Sequence, residues 1–431
     1  MPRSIMWFRR DLRLRDNPAL ATALADGDVL PLFVLDPAFG QAGAPRRALL
    51  HDCLVALRDA TDGSLVIRSG DPSTIVPDLA DEFDAPTVYV ARDYGPYGRR
   101  RDEAVADALR GADRELRGVG SAYAVAPGAV RKGDGHPYSV FTPFSRTWRE
   151  HGWDEPIDAP RSPTWVDAPT RGVFSRPDLE FEVPSATEQD VTARWRRFRD
   201  DGLDRYADRR DLPGVRGTSE LSPFLKYGVI HPRQLLAESD ARNESHQTFQ
   251  SELAWRDFYA DVLFQEPRTA WENLDRRFDA IDLDTGDAAR AKFERWTAGT
   301  TGFPIVDAGM RQLMSIGWMH NRVRMIVASF LVKDLHLPWQ WGAAHFLRHL
   351  LDGDLASNNH GWQWAAGTGT DASPYFRVFN PTLQQERWDP DGEYVARWIP
   401  EVDTSHYPSP MLDHRAERED TLARYELVKR S

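Results

Sequence analysis

The sequence predicts two domains of different class, an α/β domain built on a parallel sheet and then an all-α domain, joined by a long proline-rich linker. Three observations predict this. Residues 1–127 alternate short β-branched and apolar runs with helical periodicity, the pattern of strand–helix–strand units. Six prolines fall between Pro156 and Pro184, with little helical periodicity around them. From Val191 onward amphipathic helical patterns recur and strand patterns are nearly absent. The expected boundaries are 1–127, 128–190 and 191–431.

In the first part, strands are expected at Ser4–Phe8, Val29–Leu35, Ser64–Arg68, Pro86–Val90 and Ala122–Val125. Helices are expected between them, as at Arg46–Ala60 and Arg99–Arg110. This is a Rossmann-like order, and such sheets take ligands at the carboxyl ends of their strands. No GxGxxG fingerprint follows the first strand; a charged run from Arg9 to Asn17 stands there instead. In the last part, helices are expected near 191–206, 221–239, 245–264, 289–297, 304–316, 318–335, 340–351 and 412–428. An all-α array of that size can enclose a ligand between its helices.

Composition narrows the function classes. Apolar residues make up 41% of the 431 positions, ample for a core. The lone Cys53 excludes an internal disulfide and a cysteine-built metal cluster. Met1-Pro2-Arg3-Ser4 leads straight into a strand pattern, and no apolar run is long enough to span a bilayer. A cytoplasmic protein without a membrane partner is expected. The net charge of −12 argues on its face against nucleic acid. Yet only five of the 54 basic residues are lysines, and arginine is the better bidentate partner for phosphate, so a local basic face stays open.

Residues 318–364 are the densest in chemistry. They open with Trp318-Met319-His320-Asn321-Arg322-Val323-Arg324-Met325 and close with Asp352-Gly353-Asp354-Leu355-Ala356-Ser357-Asn358-Asn359-His360-Gly361-Trp362-Gln363-Trp364. Asn321, Arg324 and Met325 share a helical face, as do Asn358 and Trp362. Buried indoles and ionised groups at this density need partners or a ligand. The Asp-Gly-Asp reads as a turn that starts a helix. Elsewhere, Gly217-Thr218-Ser219-Glu220-Leu221-Ser222-Pro223 puts hydroxyls before a helix. That arrangement suits a phosphate and equally an ordinary N-cap. Glu252, Trp255, Arg256 and Tyr259 fall at helical spacing.

The run from Trp318 to Trp364, the opening Trp7-Phe8-Arg9-Arg10-Asp11-Leu12-Arg13-Leu14, and the segment Pro137–Phe144 together resemble the photolyase/cryptochrome family over nearly the whole chain. The resemblance implies FAD as cofactor and makes the helical domain its binding domain. It implies light-driven repair of cyclobutane pyrimidine dimers in DNA, with a blue-light receptor that signals without repair as the alternative. Trp255, Met325 and Asn358 match the repair branch. By resemblance, Tyr206, Thr218, Ser219, Glu220, Leu221, Ser222, Arg256, Arg324, Asp352, Asp354 and Asn358 hold the flavin. Glu252, Trp255, Asn321, Met325 and Asn358 serve the dimer. Arg210, Arg322, Trp364 and Gln384, with Glu252, Trp255 and Asn321, touch DNA. Arg324 is expected to pair with Asp352. No obligate protein partner is implied, and a monomer is expected.

Arg10, Asp36, Asp93 and Lys226 resemble the family members whose antenna is 8-hydroxy-5-deazaflavin. The family's three-tryptophan route for photoreduction matches Trp362 and Trp339, but the outer position falls on Gly286. Trp341, Trp388 and Trp271 are the substitutes at hand, with Trp388 the favoured exit.

Overall fold

The computed structural model describes residues 3–170, 174–371 and 376–430. Five parallel strands form one sheet: β1 (Arg3–Phe8), β2 (Asp28–Leu35), β3 (Val66–Ser69), β4 (Thr87–Arg92) and β5 (Glu115–Ser121), in the order β3-β2-β1-β4-β5. The order reverses between β1 and β4, so the crevice for a ligand lies beyond the carboxyl ends of those two strands. Successive side chains alternate faces. Ile5 and Trp7 of β1 pack with Val76, Leu79 and Val105 of the helices Pro72–Glu82 and Pro96–Arg110. Met6 and Phe8 pack on the other face with Leu20, Leu49 and Cys53 of Pro18–Asp26 and Ala44–Ala60. Covering both faces explains why the strands read as continuous apolar runs.

Two expectations are corrected here. The fifth strand is Glu115–Ser121, and residues 122–125 instead lead away from the sheet toward the helical part. β5 is an edge strand, largely half-buried and carrying two glycines, so its pattern is weak. The linker is also not free of structure. Phe141–His151 is a helix, and Val29 pairs with Trp165 through Val29 N to Thr164 O at 3.0 Å and Val166 N to Val29 O at 2.8 Å. Pro143 in the first turn, where a helix tolerates proline, disguises that helix as linker.

The remainder is helical. The long helix Glu244–Gln265 is capped by Asn243 and followed by Gly286–Thr297, Pro304–Ile316, Asn321–Ser329, Trp339–His349, Leu355–Ala366, Pro381–Trp388, Glu393–Trp398 and His414–Arg430. The expected 318–335 segment ends as a helix at Ser329 and widens into a π turn, with Leu335 N donating to Phe330 O at 3.0 Å. One apolar core runs from the sheet through Trp148 to Trp195, Phe249 and Phe258. A second holds Trp296, Met310, Val327, Phe346, Trp362 and Tyr394.

The charged run after β1 is the hinge-pin between the two parts. Leu12 N donates to Tyr227 O at 3.1 Å, and buried Arg13 donates to Gly228 O at 3.0 Å. Gly228 sits at φ 68, and a Cβ there would lie 2.1 Å from the Arg10 carbonyl oxygen, so only glycine fits. No helix among the described residues is long and apolar enough to cross a membrane.

Candidate active site

The site is assembled around the N-terminus of Leu355–Ala366. Asp354 caps this helix, its Oδ1 accepting from Ala356 N at 3.1 Å and Ser357 N at 3.2 Å. Its Oδ2 takes Arg10 at 2.6 Å and Lys226 at 3.4 Å. Burial raises the Asp354 carboxyl, but Arg10, Lys226 and Arg256 outweigh it and hold the group far below its ordinary range. Lys226 is lowered to about 7, first by burial and then by Arg10, the cation nearer to the shared carboxylate. Arg46 adds a further buried guanidinium whose Nε has no partner. Positive charge is in excess here.

One turn earlier, Asp352 accepts from Arg324 at 2.8 and 3.2 Å, a bidentate pair, and from Ser222 Oγ at 2.6 Å. Trp318 Nε1 donates to Ser222 Oγ at 3.4 Å. Thr218, Ser219 and Glu220 are half-buried just before Ser222; Glu220 accepts from Arg194 at 2.9 Å and holds φ 52, backbone strain of the kind kept at ligand clamps. Tyr206 is buried against Phe249 and Phe198. Asn358 Nδ2 donates to Ala343 O at 3.1 Å and Asn359 Oδ1 at 2.8 Å. The buried imidazole nitrogens His320 Nε2 and His360 Nδ1, at the starts of two of these helices and within them, have no protein partner. Hydroxyls, a guanidinium–carboxylate pair, amides and orphaned donors or acceptors are a set that fits a polar cofactor such as FAD.

Helix Glu244–Gln265 presents two sides. Glu252 accepts from Arg210 at 2.7 Å, and Trp255 stacks on Phe141 with centroids 3.7 Å apart and planes 8° apart. Arg256 turns toward the sheet and differs from the common face expected for it. Its guanidinium donates to Ala122 O at 2.8 Å and Leu225 O at 3.1 Å and lies 4.6 Å from the Tyr123 ring.

A cavity of about 920 Å³ opens beside these elements. Met325, Trp364 and Gln384 line it with Arg322, Arg387 and Trp388. Asn321 is exposed at the first turn of its helix. Arg322 pairs with Asp211 at 2.7 Å, and Arg377, Arg415 and Arg418 complete a basic wall. Five of the chain's 49 arginines line this cavity, a local basic face in a chain of net charge −12.

At the sheet edge, Arg10 and Asp93 line a crevice with Arg9 and Tyr123, but it encloses only about 10 Å³, room for about one water. Asp93 is engaged by Arg101 at 3.2 Å, and Asp36 by the Tyr97 hydroxyl. The four expected antenna residues therefore split: Arg10 and Lys226 meet on Asp354, while Asp36 and Asp93 have partners of their own.

Trp362 and Trp339 are both buried. Trp388, the exit favoured from the sequence, lines the cavity. The guanidiniums of Arg322 and Arg387 each lie 4.5 Å from its ring centroid. Both disfavour a positive hole there, Arg322 less because Asp211 pairs with it at 2.7 Å and Arg387 less because it is exposed. Among the described residues, two rings touch Trp362: Phe346, at 5.1 Å and 78°, and Trp296, at 6.1 Å and 71°. Sequence spacing did not reveal the second, because that contact crosses between two helices distant in the chain.

Residues 4–163 match a family model described as DNA photolyase, and residues 249–406 match the FAD binding domain of DNA photolyase. The chain is 39% identical over 480 aligned positions to a deoxyribodipyrimidine photo-lyase of Halobacterium salinarum, covering 99% of each. It is also similar to the solved class III photolyase of Agrobacterium tumefaciens, with a TM-score of 0.92, 36% identity, and 100% and 98% of the two chains covered. An archaeal photolyase from Sulfolobus tokodaii, solved with two FAD molecules, superposes with a TM-score of 0.88 at 28% identity over 99% of this chain and all of that one. Strand order, the Arg324–Asp352 pair, the capped helix from Asp354 and these matches lead to one conclusion: the chain belongs to the DNA photolyase family.

Proposed function

We propose that this protein is a deoxyribodipyrimidine photo-lyase, which binds FAD in its helical part and splits cyclobutane pyrimidine dimers in DNA under blue or near-UV light. The observation that carries the reading is the arginine-rimmed cavity of about 920 Å³ reaching Met325 and Trp364. It is large enough for an extruded dinucleotide. Bound FAD, reduced and excited by light, supplies the electron that opens the cyclobutane ring and recovers it afterwards.

The chain's own residues do the rest. The Arg324–Asp352 pair, Ser222 and the hydroxyls of Thr218 and Ser219 hold the cofactor. Asp354 and Asn358 fix the helix that borders it. Glu252, oriented by Arg210, accepts hydrogen bonds from the base edges. Trp255, braced by Phe141, is the stacking platform. Met325 and Trp364 line the cavity, and Asn321 stands exposed on the first turn of the helix that carries Met325. Arg322, Arg210 and Gln384 take the flanking backbone.

The direct test uses an oligonucleotide carrying one dimer. Protein with chemically reduced flavin restores it in light and not in darkness; an unchanged dimer in light would leave the light-receptor reading in its place. Binding should weaken with salt, and Arg322→Ala should lower the slope of log K against log salt by about one unit. An unchanged slope removes Arg322 from the DNA face.

The finer readings belong to the same proposal. The part at 1–127 takes an antenna, 8-hydroxy-5-deazaflavin, at Arg10 and Lys226; 128–190 links it to 191–431. The excess positive charge around Asp354 suits an anionic chromophore, and the crevice of about 10 Å³ has to open for one, with Arg10 leaving Asp354. Reconstitution followed by energy transfer to FAD tests it; uptake of a folate alone would contradict it. The protein acts as a monomer in the cytoplasm, a compartment compatible with its single buried Cys53. Gel filtration with and without DNA tests the first point.

A further inference from the structure

We propose that Phe141, a residue of the segment joining the two parts, is a positioning residue for Trp255: it backs one face of the indole and leaves the other for the joined bases of a dimer. This rests on the dimer-binding reading above. The two ring centroids lie 3.7 Å apart and the planes are 8° from parallel. Aromatic pairs left to themselves prefer offset or edge-on contacts at about 4.5–7 Å, so a sandwich this close is held by what surrounds it. Among the described residues, Phe141 is the one ring stacked on Trp255. Phe258 meets the indole edge-on at 5.7 Å and 71°, and Tyr259 meets it tilted at 5.2 Å and 44°. Trp255 is only half-buried, so the face opposite Phe141 is the one a base can take.

The backing ring is fixed at both ends of its helix. Phe141–His151 docks along Glu244–Gln265, where Trp148 Nε1 donates to Asp257 Oδ2 at 3.0 Å and Arg149 donates to Ser251 Oγ at 2.7 Å. At the start of the helix, Phe141 N donates to Asp371 Oδ2 at 3.2 Å, and Thr370 Oγ1 donates to Ser139 O at 2.6 Å. Thr370 and Asp371 follow Gly367, the C-cap of the helix that carries Trp364. The segment is thereby tied to both tryptophan-bearing helices, the one with Trp255 and the one whose Trp364 lines the cavity. Ion pairs run the same way. Glu252 meets Arg210 at 2.7 Å, Arg210 lies 3.8 Å from Asp211, and Asp211, in the cavity wall, pairs with Arg322 at 2.7 Å.

An indole that can rock gives up that freedom when a base stacks on it; a backed indole has already given it up, so the brace raises affinity wherever stacking on Trp255 matters. It matters for two covalently joined bases that leave the duplex together. It does not for undamaged DNA, whose bases stay stacked and whose binding rests on phosphate contacts. The brace therefore acts on the preference for damaged over undamaged DNA.

The test is a pair of dissociation constants for flavin-loaded protein in the dark, one for an oligonucleotide with a single cyclobutane dimer and one for the same sequence undamaged. The chains compared are wild type, Trp255→Ala, Phe141→Leu and the double variant with both changes. Leucine keeps apolar volume behind the indole and loses the flat face. Phe141→Leu should lower the preference for the dimer roughly three- to tenfold. In the Trp255→Ala background the same change should have no further effect, because the brace acts only through that indole. An unchanged preference in Phe141→Leu would overturn the proposal. So would binding of both DNAs weakened alike, or an equal loss of preference with and without the Trp255 indole. A wild type that binds both DNAs equally would sink the dimer-binding reading itself. Preference present in wild type, lost in Trp255→Ala and kept in Phe141→Leu sinks only the brace.

Discussion

At the scale of single residues, Arg324 and Gly342 are the sharpest probes. Arg324→Ala strands Asp352, whose side chain is only 4% exposed. We expect a loss of about 2–3 kcal/mol, discounted from the ~3–5 of a fully buried pair because Arg324 is itself 25% exposed. Denaturant unfolding of flavin-free protein measures it, and flavin retention should fall in the same variant. Gly342→Ala would put a Cβ 2.1 Å from the Trp362 ring, with no room to retreat in a packed core. Overpacking of this kind costs roughly 1–3 kcal/mol. The variant should melt earlier and shift the fluorescence of the buried indoles; an unchanged melt would mean that Trp362 can move freely. The Arg324–Asp352 pair was expected from the family resemblance of the two segments that carry it, not from their spacing, since the partners stand 28 residues apart. The Trp296–Trp362 contact was not legible, since nothing local distinguishes Trp296 from any core tryptophan.

Among the elements, the helix Leu355–Ala366 depends on Asp354 twice, as N-cap and as counter-ion. The two roles separate by substitution. Asp354→Asn keeps a capping oxygen and loses the charge, whereas Asp354→Ala loses both. The alanine variant should be the less stable by about 1 kcal/mol, the typical value of a cap, read as the difference in unfolding free energy between the two. Equal stability would show that the charge, not the cap, fixes this helix. Element by element, the sequence was most readable where one face is buried. β1, β2 and β4, flanked by helices on both faces, show their apolar runs plainly. β5 does not, because an edge strand with Gly118 and Gly120 has little to alternate. Pro381–Trp388 buries only Pro381, so no periodicity announces it. Its position between the cavity and solvent, which matters for function, is also what hides it.

For the molecule as a whole, acid should be the weak side. His231 and His345 are lowered to about 3, and His320 and His360 to about 4, from 6.5, each chiefly by burial. Below 6.5 the unfolded chain takes up protons on these four that the folded chain refuses, so stability falls as pH falls. Asp257 and Asp334 oppose this. They are raised from 3.8 to about 6 by burial, so between those values the folded state holds protons that the unfolded state releases. Asp11, Glu188, Asp261 and Asp307 are raised as well and His336 and His349 lowered, so six carboxyls offset six imidazoles at lower pH, and the melting temperature should drop between pH 6.5 and about 6, before the carboxyls titrate. A rise over that window would mean that these imidazoles are not buried neutral. The shared carboxylate of Asp354 has a different consequence. Arg10 reaches it from the loop after β1 and Lys226 from the helix Ser222–Tyr227, and the same group caps the helix on the cofactor side. An anion seated on the sheet side must draw those cations off, so the two ligands become heterotropic effectors of each other. Reciprocity then fixes the magnitude: whatever factor one ligand applies to the affinity of the other is returned unchanged. Flavin dissociation constants measured with and without the sheet-side chromophore give that factor, and in Asp354→Asn it should move toward unity.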